Sequence, residues 1–321
     1  TYKGIQGYTV QKLATDPTAE DTVGQLWYNS TSGKFKISIE GAGAWASGAA
    51  MNTARSELGA AGKGTSTAAL SFGGDASPYT AATESYNGSA WTTVNNMLTT
   101  PAGVGSCGTQ TAALAAGGYD GTDYTTKTQK YDGTSWTEVA AIATARTLHN
   151  SGLGTSTAAL VVGGASPGNV YDLVEKYDGT SWTEVGDIPT PTSTLAAVGI
   201  ITAALCCGGG PGFKTNTASF NGTSWTAVNG LTTGRRGNCG FGSQTAALTM
   251  AGETGSYSAL TEKWDGTSWT EVGDLGTART GSASGGSSSD GLISGGLAPG
   301  TSGITEAWTD PVYTIKTVTV S

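Results

Sequence analysis

The side chains that most often perform catalysis or bind metals are few in this sequence and stand far apart. His149 is the single histidine. The four cysteines, Cys107, Cys206, Cys207 and Cys239, form no CxxC pair and no regularly spaced framework. No GxSxG, HExxH or P-loop phrase occurs. We therefore expect no enzyme activity, no metal site and no cofactor, and we expect the cysteines to be buried free thiols.

The composition argues against two classes of partner. A net charge of -8 and a pI near 4.6 disfavour nucleic acid, because phosphate binding requires a basic surface. No run of 18 apolar residues is present, so we expect no membrane insertion. The 51 glycines and the 12% content of charged residues are typical of short strands joined by tight turns.

An aromatic residue, a tight turn and a tryptophan recur together about every 45 residues. The copies read YNGSAW, YDGTSW, YDGTSW, FNGTSW and WDGTSW, and they end at Trp91, Trp136, Trp182, Trp225 and Trp269. Trp308 follows Trp264 by 44 residues and marks a sixth copy of the aromatic position. Asp-Gly and Asn-Gly are strong hairpin signals, so each phrase predicts two antiparallel strands.

A second phrase precedes each of these turns and predicts two further strands. It reads TAALSFGG at 67–74, and its later copies include TAALAAGG, TAALVVGG and TAALCCGG. A small, glycine-rich strand comes before it, as in GVGSCGT at 103–109. Four antiparallel strands in each of six repeats predict an all-β fold, a six-bladed β-propeller.

The double glycine followed by an aromatic residue and a tryptophan resembles the kelch repeat, although kelch units are somewhat longer. The resemblance covers residues 41–316 and implies a kelch-like propeller in which each tryptophan lies on the outer strand between neighbouring blades. The sixth blade has no DGTSW of its own. Trp45 precedes Arg55 by ten residues, the spacing that joins Trp136 to Arg146, so the segment around Ile39 to Trp45 is expected to complete that blade. Tyr313, five residues after Trp308, is the alternative.

Residues 1–40 do not match the repeat. GQLWYNSTSGKFKISI at 24–39 predicts a β-hairpin, and residues 1–23 are polar and expected to be extended. We therefore divide the chain into an N-terminal attachment segment, 1–40, and a propeller, 41–321.

The opening YKGIQGYTVQKLATDP, followed by GQLWYNSTSGKFK, GAWASG and NTAR, resembles tail-fibre-like structural proteins of marine bacteriophages. This resemblance covers the whole chain. It implies a virion component on a tail fibre or on the particle surface, bound to other virion proteins through residues 1–40.

Two enzyme classes that use propellers need side chains that this chain lacks. Galactose oxidase, which also has kelch-like blades, needs two histidine ligands for copper, and His149 is alone. Sialidases need an arginine triad with a tyrosine nucleophile. The arginines here recur once in most repeats, which indicates a structural role, and His149 is expected to be structural or to line the channel. The recurring arginines are Arg55, Arg146, Arg235 and Arg279.

The loops between the second and third strands differ from repeat to repeat, whereas the DGTS turns are nearly uniform. These loops should share one end of the ring with the connections between blades. Aromatic rings that stack on sugars, beside carboxylates that accept hydroxyl protons, suit glycan recognition. The candidate receptor-binding residues are Tyr79, Tyr119, Tyr124, Tyr171, Phe213, Tyr257, Asp75, Asp120, Asp123, Asp172 and Glu253. The alternative is that these aromatic side chains fold onto the blades and that the loops only keep the surface soluble.

The sequence thus favours a virion protein whose propeller binds a host-surface glycan or protein. The four recurring arginines should begin the inner strands at the same end and accommodate anionic sugars. A purely architectural decoration or connector is the main alternative, and a cellular protein-interaction propeller is another.

Overall fold

Six four-stranded antiparallel sheets follow the sequence repeat, and they form a six-bladed β-propeller. The computed structural model describes residues 10–41, 43–62, 65–311 and 313–319. From the inner to the outer strand, the blades comprise Gly59–Ala61, Ala69–Phe72, Thr83–Tyr86 and Trp91–Val94 (blade 1); Gly105–Thr109, Ala112–Ala116, Thr128–Tyr131 and Trp136–Val139 (blade 2); Gly152–Thr155, Ala158–Val162, Val174–Tyr177 and Trp182–Val185 (blade 3); Ala196–Ile200, Ala203–Cys207, Thr217–Phe220 and Trp225–Val228 (blade 4); Cys239–Gly242, Ala247–Met250, Thr261–Trp264 and Trp269–Glu271 (blade 5); and Ala283–Ser287, Asp290–Ser294, Thr305–Thr309 and Ala44–Ser47 (blade 6).

The ring closes through blade 6, whose outer strand comes from the other end of the propeller sequence. Ala44–Ser47 lies next to Thr305–Thr309, and the inner strand of blade 6 contacts that of blade 1. The expectation that Trp45 lies on the strand that completes this blade is confirmed, but that strand begins later than predicted, because Ile39 belongs to the strand Lys34–Glu40 of a different sheet. Tyr313, the alternative, lies in a different sheet. Because the ring is closed, every blade has a neighbouring blade on both sides, which protects the edges of its sheet.

Each blade contains one aromatic pair that joins its third strand to its outer strand. An aromatic residue at the end of the third strand, or one residue before the end in blade 6, packs on the tryptophan of the outer strand, with ring centroids 4.9 to 5.5 Å apart. The pairs are Tyr86–Trp91, Tyr131–Trp136, Tyr177–Trp182, Phe220–Trp225, Trp264–Trp269 and Trp308–Trp45. The predicted equivalence of these tryptophans is therefore confirmed, and Trp308 takes the third-strand position.

The tryptophans also link adjacent blades through their indole N–H groups. In four blades this group donates to the threonine hydroxyl that begins the third strand of the preceding blade, as from Trp136 Nε1 to Thr83 Oγ1 at 3.1 Å. Trp182 donates to the carbonyl of Ala140 instead, and its side chain is only partly buried, contrary to expectation. Trp225 belongs to blade 4, and the third strand of the preceding blade begins with Val174 where the other blades have threonine. The buried indole N–H of Trp225 therefore has no partner.

Four of the six blades contain a buried ion pair between an arginine and a glutamate. The arginine precedes the inner strand and the glutamate is the second residue of the third strand, with N–O distances of 2.5 to 3.0 Å. The pairs are Arg55–Glu84, Arg146–Glu175, Arg235–Glu262 and Arg279–Glu306. All four arginines are fully buried. Burial lowers the pKa of Arg55 and Arg279, and the paired carboxylate opposes that shift.

The second oxygen of each glutamate accepts a backbone N–H from the connection that leads into its own blade. In blade 3, the N–H of Ala143 donates to Glu175 Oε2 at 2.7 Å, and the same contact recurs in the other three blades. The carboxylate is therefore satisfied on both oxygens, which is the condition under which a buried charge is tolerated.

The two blades without the ion pair have changed both of its members. In blade 2, Pro101 replaces the arginine and Gln129 replaces the glutamate, and Gln129 still accepts the N–H of Leu98 at 2.8 Å. In blade 4, Thr192 and Ala218 stand at the two positions. Pro189, which has no N–H, occupies the position of the donor there. A cavity of about 30 Å³ lined by Thr192 and Ala218 remains in blade 4.

The backbone carbonyl at the arginine position connects each blade to the preceding one. The second residue of the double glycine donates its N–H to this carbonyl at 2.7 to 2.9 Å around the entire ring. The links include Gly118 N–H to Arg146 and, at the closure, Gly296 N–H to Arg55. Gly118 has φ of 101°, and a Cβ there would lie 2.7 Å from the carbonyl oxygen of Ala102. The second glycine is therefore required by both conformation and space, whereas Ala251 takes the first position in blade 5 with φ of 60°.

The remaining strands form a second compact unit of residues 1–44 and 310–321, separate from residues 45–309. Its four-stranded sheet, the terminal sheet, contains Gln11–Leu13, Leu26–Asn29, Lys34–Glu40 and Tyr313–Thr317 in that order. The predicted hairpin is present, with Tyr28 opposite Phe35. A short 3-10 helix spans Glu20–Thr22. The division differs from the expected one because Tyr313–Thr317 pairs with Lys34–Glu40, which joins residues 310–321 to the N-terminal unit.

Replacing Glu175 by alanine should strongly destabilise the propeller, by about 3–5 kcal/mol, because it leaves Arg146 buried without its counter-charge. The double variant Arg146→Thr/Glu175→Ala copies the residues of blade 4 and should lose less stability than the single variant. Urea-unfolding midpoints followed by tryptophan fluorescence measure both. A double variant that is as unstable as Glu175→Ala, or less stable, would contradict this account of the ion pair.

Candidate binding surface

The turns between the third and outer strands form a uniform end of the ring. In each DGTS turn the Asp Oδ1 accepts the backbone N–H groups two and three residues later, as in Asp178 with Thr180 and Ser181, both at 2.8 Å. These bonds lower the pKa of Asp178 to about 2, the bond from Ser181 contributing most. Asn87 and Asn221 make the same two bonds in their turns. The repeated side chains at this end are therefore used to shape the turn.

The loops between the second and third strands, here called the variable loops, lie with the blade connections at the other end. They comprise residues 73–82, 117–127, 163–173, 208–216, 251–260 and 295–304. The residue after each double-glycine position pairs with the connection that enters its own blade, as Tyr119 pairs with Ala102. The start of each loop is thus fixed to the ring, and its sequence differs from blade to blade.

Three of the predicted residues form one aromatic cluster, here called the tyrosine surface: Tyr79, Tyr119 and Tyr124. The ring centroids of Tyr79 and Tyr119 are 5.7 Å apart, and those of Tyr119 and Tyr124 are 5.2 Å apart. All three side chains are half-buried. Tyr79 comes from blade 1 and the other two from blade 2, so the surface spans two variable loops. A Cβ on Gly121 would lie 3.0 Å from the Tyr79 ring, so the loops pack closely.

Carboxylates surround the tyrosine surface. Burial raises the pKa of Tyr79, and the charges of Asp75 and Glu57 raise it further. Asp120 Oδ1 accepts the N–H groups of Thr122 and Asp123, both at 2.9 Å, which lowers the pKa of Asp120. Asp75 Oδ1 likewise accepts an N–H from its own loop.

The other predicted residues lie apart from this cluster. The hydroxyl of Tyr171 is 2.8 Å from Ser166 Oγ in its own loop, and Asp172 beside it is half-buried. Phe213 is exposed beneath the guanidinium of Arg236, whose carbon lies 5.4 Å from the ring centroid. Arg236 also pairs with Glu253 at 3.0 Å, and Glu253 is bridged to the exposed Tyr257. The predicted residues therefore form separate patches at one end of the ring.

Several charged residues of this end were missed by the sequence analysis, among them Glu57 and Arg236. Glu57 stands two residues after Arg55, and Arg236 directly follows Arg235. Both residues are charged and lie close to a repeat arginine, and the other repeats have no charged residue at these positions. This difference between repeats is the signal that could have identified them. Arg236, unlike the four ion-paired repeat arginines, has an exposed side chain.

The expectation that the repeat arginines could accommodate anionic sugars is wrong. The side chain of Arg55 has no exposed surface and is directed to Glu84, and the other three arginines are placed in the same way. The propeller unit, residues 45–309, has 11 Lys and Arg against 19 Asp and Glu, so all of the net negative charge lies there. The variable-loop end therefore does not attract anions through these arginines.

The cysteine and histidine side chains, which could perform chemistry, are packed within the fold. All four cysteines are buried, Cys206, Cys207 and Cys239 are free thiols as predicted, and burial raises the pKa of Cys207 and of Cys239 to about 12. His149 is half-buried against Gly103, where a Cβ would lie 2.6 Å from its Nε2. Within the described ranges, no cluster of three or more His, Cys, Asp or Glu is arranged to hold a metal, and no helix is long and apolar enough to cross a membrane.

The centre of the ring offers little room for a ligand. The inner strands surround a cavity of about 70 Å³ lined mainly by glycine, alanine and other small residues. Asn150 in blade 3 donates its side-chain N–H to the carbonyl of Ser282 in blade 6 at 3.0 Å, which bridges the cavity at the variable-loop end. Ligands of ordinary size are therefore expected on the loops.

Comparison with known proteins does not assign this chain to a family. No protein-family model matches the chain, and no curated protein matches it.

The DGTS turn predicts a specific pH dependence. Since folding lowers the pKa of Asp178 from 3.8 to about 2, its stabilising contribution is complete above pH 4 and is lost as the pH falls through 2. Asp178→Asn keeps the turn acceptor but cannot titrate. Between about pH 5 and about pH 2.5, its urea-unfolding midpoint should fall less than that of the unmodified protein. Equal falls for the two proteins would show that this carboxylate contributes nothing.

Proposed function

We propose that this chain is a structural protein of a bacteriophage particle, whose terminal unit attaches to other particle proteins and whose propeller binds the host surface. The observation that supports it most is the different chemistry of the two units. The terminal unit exposes apolar side chains, whereas the propeller presents aromatic and acidic side chains on loops that vary from blade to blade. The kelch-like repeats and the opening segment of the sequence, which together resemble tail-fibre-like proteins of marine phages, agree with this division.

The apolar side chains of the terminal unit concentrate on one face of its sheet. Cross-strand pairs share a face, so Leu26 with Ile37 and Tyr28 with Phe35 lie on the same side. Six of the eleven most exposed large apolar side chains in the described residues belong to this unit, which has about a sixth of the chain: Val10, Val23, Leu26, Phe35, Ile39 and Val318.

The opposite face of the terminal sheet is already covered by its own chain. Asp16 accepts hydrogen bonds from Trp27 Nε1 at 3.0 Å and from Asn29 Nδ2 at 2.6 Å, which lower its pKa. Ser38 donates to the carbonyl of Ala19. An apolar face left open beside a satisfied one suits a docking surface for another protein. The first nine residues, part of the predicted attachment segment, lie outside the described residues.

The propeller is proposed to bind rather than to catalyse. Its single histidine packs against a glycine, its thiols are buried, and its repeat arginines are ion-paired with glutamates. The variable loops present aromatic and acidic side chains on a rigid ring, which is how many binding surfaces are built. Many copies on one particle would give firm attachment from weak individual contacts.

Two sets of variants of the full-length chain separate the two roles. Labelled protein should bind host cells, and the paired changes Tyr119→Ala/Tyr124→Ala or Phe213→Ala/Tyr257→Ala should weaken binding about tenfold or more. Phe35→Ser/Ile39→Ser should leave cell binding intact and prevent incorporation into particles. Asp132→Asn/Asp178→Asn at the uniform end serves as the control, because asparagine occurs naturally in two of these turns.

Cell binding that is absent, or unchanged in every loop variant, would leave an architectural role for the propeller. Incorporation that is unaffected by Phe35→Ser/Ile39→Ser would refute the proposed attachment face. Circular dichroism of each variant establishes that the fold is retained.

A further inference from the structure

The tyrosine surface differs from the other aromatic positions of the variable loops because three rings contact one another there. In the part of the chain that the structure describes, Tyr171, Phe213 and Tyr257 make no such ring–ring contact. Tyr119 occupies the middle position, 5.7 Å from Tyr79 and 5.2 Å from Tyr124 between ring centroids. Three adjacent rings offer a larger apolar area than a single tyrosine does.

The rings are held in place without a ligand. The backbone of Tyr79 pairs with Asp75 in its own loop, and the backbone of Tyr119 pairs with Ala102 and with Tyr124. A Cβ on Gly121 would lie only 3.0 Å from the Tyr79 ring, so the two loops pack closely. A ligand would therefore pay little conformational entropy for ordering this surface.

The charges around the surface are mainly negative. Glu57 and Asp75 act on Tyr79, and Asp120 and Asp123 lie in the same loop as Tyr124. Lys127 is a basic residue of the same loop, and its positive charge helps to lower the pKa of Asp120. The repeat arginines of blades 1 and 3, Arg55 and Arg146, are buried against Glu84 and Glu175.

We propose that the tyrosine surface binds an uncharged, hydroxyl-rich sugar unit of a surface glycan. The apolar face of the sugar ring stacks on the tyrosines, and its hydroxyl groups donate hydrogen bonds to the flanking carboxylates. Sugars bearing carboxylate, sulfate or phosphate groups are disfavoured because Glu57 and Asp75 repel them. The inference rests on the proposed function, since it specifies the receptor chemistry of the same end of the ring.

A glycan array that contains uncharged, amino and anionic glycans tests the proposal with the labelled full-length chain. The bound glycans should be uncharged, and Tyr79→Ala and Tyr124→Ala should each reduce their binding about tenfold. Asp132→Asn/Asp178→Asn, in the turns at the opposite end of the ring, is the control and should leave glycan binding unchanged. Glu57→Gln/Asp75→Asn should increase binding to anionic glycans relative to the unmodified protein, and this gain does not depend on the tyrosine variants being stable.

The outcomes distinguish this inference from the proposed function. Binding confined to anionic glycans, or binding of uncharged glycans that survives both tyrosine changes, overturns the inference and leaves host attachment intact. Host-cell binding without binding of any glycan also overturns it and indicates a protein receptor. Absence of both cell and glycan binding overturns the proposed host attachment as well.

Discussion

The propeller depends on the residue that stands just before each inner strand. Its backbone carbonyl accepts the N–H of a glycine in the preceding blade, and in four blades its arginine side chain forms a buried ion pair with the third strand of its own blade. One position thus connects neighbouring blades and also holds the inner and third strands of one blade together. The glutamate adds a bond to the connection that carries the arginine, so the entire corner is fixed.

This corner explains why sequence variation is confined to one set of loops. Because the ends of the second and third strands are held by backbone and ion-pair contacts, the segment between them can change length and composition at small cost to the ring. The same contacts withdraw the repeat arginines from solvent, so the exposed side chains of the variable loops are mainly aromatic and acidic, with Lys127 as an exposed base. The receptor chemistry that we propose therefore follows from which side chains the ring uses for its own internal contacts.

The sequence predicts the blades well because the repeat carries its own internal comparison. The DGTS turns, the double glycines and the tryptophan spacing each recur, and the spacing from Trp45 to Arg55 is sufficient to predict how the ring closes. The sequence also contains a sign that the arginines are ion-paired and buried. In blade 4 the arginine, the glutamate and the N–H donor are replaced together, by Thr192, Ala218 and Pro189. That pattern is informative only when contacts between the positions are known.

The candidate site was less accessible to sequence reasoning. Tyr79 and Tyr119 belong to different repeats, and whether their rings meet depends on the path of two non-repeating loops. Tyr313–Thr317 likewise follows blade 6 in sequence and yet pairs with Lys34–Glu40, a long-range contact that no local pattern indicates.

The central claim, a particle protein attached through its terminal unit and exposing its variable loops, is tested most directly by electron cryomicroscopy of the intact particle that contains this chain. The account predicts that the face bearing Leu26, Phe35 and Ile39 is covered by other particle proteins, and that the loops around Tyr119 point to solvent. A particle in which the variable loops are buried between proteins and the terminal sheet is exposed would contradict it.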